Sequence, residues 1–395
     1  MKKTILMISL IFLISILSGC WSKRELNDLA LVAALGIDFI DDEYAISVQV
    51  IDPSQISSKQ TASRQAPVVT YHAKGKTVFE AIRKILALSP RKLYFAHVQL
   101  VVLGEDLAVD GIRDSIDFLA RDQEIRNDFT IIVSQQTTAK NILNVLTPIE
   151  KIPAKKMLNS LTITQDAWGS TLEVDVEDLV TKLGVGNQYF VLSAIEIQGD
   201  KSLGIDQTNV ERIETPVKLK FTGLAIFKED KLIGYMDEYD SKSFNYLNDN
   251  IKSTIEIIAC PSDGVLTTEI TQSKTTTKGS MKNGSPTINV SIDIVQNVAE
   301  VKCDINLTEL TTIDWINRQT ELSIKKNIDE SLHVLQEKYN ADVLGFGEAI
   351  HRADPKEWKK IKEDWHTIYP NVEVNVKVNV NTHGSGTMQN SKLKE

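Results

Sequence analysis

The chain lacks the residue patterns that mark most enzymes. Its six histidines, at 72, 97, 333, 351, 366 and 383, are scattered. They form neither HExxH nor a His–Cys pair at metal-ligand spacing, so a zinc site is unsupported. No GxSxG supplies a serine nucleophile. Gly75-Lys76-Thr77 ends like a phosphate-binding loop, but GxxxxGK[ST] needs glycine at position 70, where Thr70 stands. A turn followed by a helix cap is the plainer reading. Gly345-Phe346-Gly347 precedes a helix but lacks the third glycine of a dinucleotide fingerprint, and it too reads as a turn. Positive charge is short as well. Forty-four Lys and Arg against 53 Asp and Glu give −9, and losing Lys2 and Lys3 would make the body more acidic still. That excludes the basic footprint of a nucleic-acid binder and attachment to anionic lipid by charge. No catalytic residue, cofactor site or metal site is expected. No internal repeat appears, and no apolar run long enough to be a second span follows the N-terminus.

What is present is concentrated at the start. Lys2 and Lys3 precede an apolar run from Ile5 to Leu17, then Ser18, Gly19 and Cys20. A charged n-region, a short h-region and a small-residue cleavage site make a secretory signal. The run is shorter than the ~20 residues a membrane span needs. Leu17-Ser18-Gly19-Cys20 fits the bacterial lipobox, in which the Cys20 thiol takes a diacylglycerol and becomes the mature N-terminus. The alternatives are an ordinary signal peptide or an N-terminal anchor with a chance cysteine. At about 0.8 kcal/mol per buried methylene, two or three chains would hold the body on the outer face of a membrane.

A length of 395 residues with 42% hydrophobic and 25% charged residues fits a folded chain of two or three domains. Beyond Cys20, Lys23–Asp28 reads as a short helical turn. Leu29–Ile37 and Tyr44–Ile51 read as a hairpin around Asp41-Asp42-Glu43. Residues 53–67 are a polar loop. Val68–His72, Phe95–Leu103 and Asp128–Ser134 read as strands. Thr77–Leu88, capped by Thr77, and Asp106–Ala120 read as helices. Thr138–Leu146, Lys155–Gln165, Glu173–Lys182 and Asp240–Leu247 are further helices. They accompany a strand over Gln188–Ile197 and a hairpin of Lys218–Lys228 with Lys231–Met236.

Thr254–Cys260 reads as a strand, followed by a long hairpin, Gly264–Thr277 with Ser285–Glu300. Leu307–Tyr339 is a long amphipathic helix and Pro355–Trp365 a short one. Asn371–Thr382 alternates valine with polar residues as a half-buried strand. The expectation is an α+β chain of three mixed domains, each a β-sheet packed by helices, after a cleaved lipoprotein signal peptide. Its divisions are 1–19 signal, 20–138 N-terminal α/β-like, 139–250 middle α+β, 251–385 C-terminal α+β with its helices on an antiparallel sheet, and 386–395 polar tail.

Several stretches resemble one family. CWSKRELNDLALVAALGID (20–38), SPRKLYFAHVQLVVLGEDLAVDGI (89–112), DFLARDQEIRND (117–128) and ADVLGFGEAIHRADPKEWKKIKEDW (341–365) resemble the Ger(x)C family, the lipoprotein C subunits of GerA-type spore germinant receptors. The resemblance runs through the mature chain in order. It implies a lipid-anchored, non-enzymatic subunit at the inner membrane of the spore. Its implied partners are a multi-spanning A subunit and a transporter-like B subunit, in a complex triggered by small nutrients. A lipoprotein solute-binding protein of a transporter is the alternative, and an exported hydrolase a third.

Other clusters invite plainer readings. Glu173, Asp175, Glu177 and Asp178 begin a helix, where the dipole favours carboxylates. Arg121, Asp122, Glu124 and Arg126 read as a salt-bridge cluster, with a subunit contact as the alternative. Trp358 and Trp365, seven apart, fall on one helix face, as core or as interface anchors. Cys260 and Cys303 pair only if two strands bring their α-carbons within about 7 Å; two separate buried thiols are the alternative.

Overall fold

The structure, a computed structural model, describes residues 28–52, 66–184, 189–261, 263–282 and 284–384. The signal sequence, Cys20, the expected helical turn before Asp28, residues 53–65 of the polar loop and the 386–395 tail lie outside the described residues.

Leu29–Ile40 (β1) and Glu43–Ile51 (β2) pair antiparallel around Asp41-Asp42, both at φ 57°. Aspartate tolerates that left-handed conformation, which matches the twist of a two-residue hairpin. Val68–Gly75 (β3) adds to β2, and Val78–Ile85 (α1) follows, its Thr77 cap accepting from Glu80 N. Lys92–Tyr94 (β4) and Leu100–Leu103 (β5) run parallel to β1. Glu105–Asp110 (α2), Arg113–Arg121 (α3), Thr130–Ser134 (β6), Ala139–Asn144 (α4), Pro153–Ala167 (α5) and Val176–Gly184 (α6) come next. Tyr189–Gln198 (β7), Lys218–Lys228 (β8) and Lys231–Met236 (β9) complete one sheet, ordered β3-β2-β1-β5-β6-β7-β8-β9 with β4 on β1. Helices cover both faces. Ile82, Leu107, Ile116 and Leu179 pack on one side, and Leu143, Met157 and Leu161 on the other.

The GID of β1 shows why those residue types are needed. A Cβ on Gly36 would meet Leu143 Cδ1 at 3.0 Å and Ala139 Cβ at 3.2 Å, so α4 can lie against the strand only there. Asp38, 2% exposed, accepts from Ala139 N (2.7 Å) and Lys140 N (3.0 Å) and closes the start of α4.

The second sheet follows Glu238–Leu247 (α7). Thr254–Ala259 (β10), Val265–Lys282 (β11), Ser285–Val301 (β12) and Glu373–Gly384 (β13) lie in that order. Leu310–His333 (α8), Phe346–Ala353 (α9) and Pro355–Ile361 (α10) intervene before β13. Ile324, Ile328, Phe346 and Ile350 bury the inner face with Ile288, Ile292 and Val376; Glu269, Asn289, Asp293 and Asn375 stand exposed on the strands. Cys260 and Cys303, just beyond β10 and β12, are disulfide-bonded with α-carbons 6.4 Å apart.

Four expectations need correcting. The middle unit has no sheet of its own: β7 pairs with β6 and carries β8 and β9 into the first sheet, so two sheets form among the described residues and the 138/139 division crosses hydrogen-bonded strands. The second sheet is mixed, because the chain returns to β12 through α8, α9 and α10 and β13 therefore runs parallel to it. The 106–120 helix breaks at Gly111 (φ 142°), whose Cβ would lie 2.8 Å from Asp230 Oδ2; Ile112 N bonds Asp230 O instead. Phe95–Leu103 starts with a 3₁₀ turn, since Phe95 and Val98, three apart, are both buried.

Candidate functional site

Cys20, the expected lipidation site, lies outside the described residues. Among them, the polar groups of greatest interest meet where the β7–β8 end of the first sheet faces the chain leaving α8.

That chain is shaped by a change of helical register. Val334–Lys338 continues α8 as a π-helix, with Tyr339 N bonded to Val334 O. Such segments are frequent at functional sites. The ring edge of Tyr339 then packs on Gly234 of β9, where a Cβ would sit 2.2 Å from it, and its hydroxyl donates to Tyr235 O at 2.9 Å. The contact ties the two sheets together. Asn340 takes φ 46°, and Gly345 takes φ 68° at the start of α9. Between them Asp342 organises the turn. Its carboxylate accepts from Phe346 N and Gly347 N, each at 2.8 Å, and from Trp365 Nε1 at 2.9 Å. Burial raises its pKa, and those three donors oppose the rise.

Gly347 lets both indoles approach, since a Cβ would lie 2.7 Å from Trp358 and 3.0 Å from Trp365. The two rings meet edge-on with centroids 5.1 Å apart, and Trp365 continues to Tyr369 at 6.2 Å. The pair does not share one helix. α10 ends at Ile361, a 3₁₀ turn spans Lys362–Asp364, and Trp365 opens a new helical turn. Across the gap stand Tyr189, with the Lys228 ammonium 6.0 Å from its ring centre, Glu229 and Lys182. Burial lowers the pKa of Lys182, against the pull of Asp178. The resulting cleft encloses about 1040 Å³.

Two polar atoms of cleft-lining residues, the Tyr369 hydroxyl and Asn340 Oδ1, are themselves shielded from solvent and have no hydrogen-bond partner. Both residues are otherwise fixed. Asn340 Nδ2 donates to His366 O at 2.8 Å, and Gln336 Nε2 donates to Tyr369 O at 3.0 Å. Burial, with Asp342 and Tyr189 nearby, holds the Tyr369 pKa well above its usual value. An unmet buried polar atom costs about 1–3 kcal/mol. The sequence singled out Trp358, Trp365 and Gly345–Gly347 but missed Asn340, Asp342 and Tyr369. The available signal was Asn340 following the long helix, since asparagine is favoured at a left-handed position.

The remaining clusters are structural. Asp175 accepts from Asp178 N at the start of α6, with Glu177 and Asp178 in its first turn, and Glu173 accepts from Thr130 and Thr162 hydroxyls. Arg121, Asp122, Glu124 and Arg126 form no salt bridge with one another. Arg121 binds Asp117, Glu124 binds Lys92, Arg126 binds Asp128, and Asp122 accepts from Glu124 N within its turn. Between the two sheets, Lys242 lies 4.3 Å from the Trp168 ring centre, and Tyr246 donates to Glu256 at 3.3 Å.

Comparison with known proteins places these features. Residues 22–197 match the family model described as the spore germination protein N-terminal domain. Residues 222–386 match the one described as spore germination B3/GerAC-like, C-terminal. The chain is 30% identical over 397 residues to Spore germination protein KC of Bacillus subtilis (strain 168), covering 98% of this chain and 97% of that protein. It is 26% identical over 388 residues to Spore germination protein A3 of the same organism, covering 94% and 95%. The crystal structure of the GerBC protein has a similar fold, with a TM-score of 0.57 at 17% identity over 88% of this chain and 96% of that one.

Proposed function

The chain belongs to the Ger(x)C family of spore germination proteins, and from that premise we propose that it is a lipid-anchored, non-enzymatic subunit of a nutrient germinant receptor. The carrying observation is similarity to Spore germination protein KC along almost the whole of both chains. An exported anchor is supported by Leu17-Ser18-Gly19-Cys20 after a short apolar run. Cys20 bears the diacylglycerol. No helix among the described residues is long and apolar enough to cross a membrane, so the lipid supplies the attachment in this reading. The protein then sits on the outer face of the inner membrane of the spore, beside the A and B membrane subunits of its receptor. Its contribution there is structural, in assembly or relay, without a reaction of its own.

Fractionation of spores carrying Cys20→Ala tests this, with nutrient germination scored alongside. The expected result is that the variant leaves the membrane fraction and germination by the receptor's nutrient fails. A variant that leaves the membrane while germination by every nutrient proceeds overturns the receptor role. One that stays bound and works removes the lipid from the mechanism.

A further inference from the structure

We infer that the loop at residues 86–92 lies in the headgroup layer of the membrane that holds Cys20, with Leu88 at its tip. This rests on the lipid-anchor reading and adds which end of the body faces the bilayer. The partner is a phospholipid surface, and three observations select it.

The first is reach. Seven residues separate Cys20 from Asp28, so eight α-carbon steps join them, at most about 28 Å when fully extended. Asp28 shares a surface hollow with Leu86, Ser89, Pro90 and Arg91, and the next residue, Leu29, pairs with Lys92. The loop therefore stands beside the point from which the tether leaves. β5 runs parallel to β1, β6 to β5 and β7 to β6. The connection that follows β7 is thus at the opposite end of the sheet, about 40 Å away over the twelve residues of β1.

The second is shape. α1 ends at Ile85, but the chain stays wound beyond it: Leu86 N bonds Arg83 O, and Leu88 N and Ser89 N both bond Ile85 O. Ser89 Oγ then donates to Arg91 O at 2.7 Å. The turn is pinned with Leu88 outward, 57% exposed, and with Ala87 and Pro90 exposed on either side. An apolar tip of this kind, held close to a bilayer, gains by entering the headgroup boundary.

The third is charge. The chain as a whole is acidic, which opposes close approach to anionic lipid. Near the loop the carboxylates are engaged: Glu124 pairs with Lys92 and Asp128 with Arg126. Arg91 is exposed and makes no salt bridge among the described residues, and it offsets Asp28 beside it. This end is close to neutral, so the apolar tip decides. The lipid supplies attachment and the loop supplies orientation.

The test uses the full lipidated chain on vesicles of phosphatidylethanolamine and phosphatidylglycerol. Cys20 is acylated in this reading and Cys260 is bonded to Cys303, so Ala87→Cys supplies the free thiol for an environment-sensitive NBD label. Ile213→Cys, fully exposed in the connection after β7, supplies the control at the far end. Flotation shows whether the chain is on the vesicles. The expected result is that it floats and that the label at 87 shifts to shorter emission wavelength and is quenched by a nitroxide lipid. The label at 213 should do neither, and Leu88→Asp should abolish the shift at 87. A chain that fails to float removes the anchor and this inference with it. A chain that floats with the label at 87 still in water overturns the inference and leaves the anchor standing. Equal quenching at 87 and 213, or quenching at 87 that survives Leu88→Asp, overturns it as well.

Discussion

Asp38 and Asp342 do the same local work in the two halves of the molecule. Each accepts from the N-terminal N–H groups of a helix and has its pKa raised by burial. Their surroundings differ. Asp38 lies in a sheet covered by helices on both faces, where the buried Gln49 and Ser134 also have partners. Asp342 lines a cleft beside two polar atoms without any. In a doubly covered sheet water reaches few buried polar groups, and most pair internally, Ser115 Oγ on α3 being an exception. The second half, with a sheet covered on one face, leaves room at its junction with the first.

The largest effect expected sharpens that contrast. A half-covered sheet gains more from a staple, and Cys260–Cys303 closes a separation of 43 residues. Replacing both by serine should cost about 4 kcal/mol in a chain-entropy account. Urea unfolding measures it, with the loss confined to the C-terminal half if that half opens first. An unchanged midpoint would mean that β10 and β12 are held by their strand pairing alone.

Next come the two caps. Asp38→Ala leaves the buried Ala139 N–H and the part-buried Lys140 N–H unmet and should cost about 3 kcal/mol. Asp342→Ala should cost less, about 2 kcal/mol, because water entering the cleft can reach the freed donors. Denaturant midpoints compare them. Equal costs would break the contrast between a closed and an open region.

A smaller, pH-dependent effect lies between the sheets. Burial raises the Glu256 pKa above 4.5, against Lys242, Tyr246 and Ser323. The folded state then holds the proton more tightly than the unfolded one. The stability Glu256 contributes is full below pH 4.5 and is lost as pH rises through its folded value. The stability of the wild type relative to Glu256→Gln should therefore fall as pH increases from 4 towards neutrality. Thermal melts at several pH values read this directly, and a rising difference would contradict the burial.

How much of this was legible in the sequence depended on whether the cause was local. The Asp41-Asp42 hairpin, the Thr77 cap and the alternating valines of β13 are written in adjacent residues, and the structure has them. The parallel pairing of β13 with β12 is not, because strand direction is set by the crossover of α8 to α10 rather than by the strands. That the described residues form two sheets rather than three has the same origin: the residues of β7 suit any buried strand, and only tertiary pairing puts them beside β6. The cleft was legible in part. Trp358 and Trp365 stood out by type and spacing. Asn340, Asp342 and Tyr369 converge on them only after the π-helical step and the glycine turn redirect the chain.

The smallest effect expected is the most discriminating. Tyr369→Phe removes a hydroxyl that has no protein partner and keeps the ring against Trp365. In a closed core such a change usually costs about 1 kcal/mol, the net worth of the lost hydrogen bond. Here no bond is lost and an unmet polar atom disappears. The variant should be as stable as the wild type, or more stable by up to about 1 kcal/mol. A clear loss of stability would mean that a bound water already satisfies the hydroxyl, and Tyr369 would join Asp38 among the internally paired groups. A neutral or positive change keeps it as an unpaired group inside the fold.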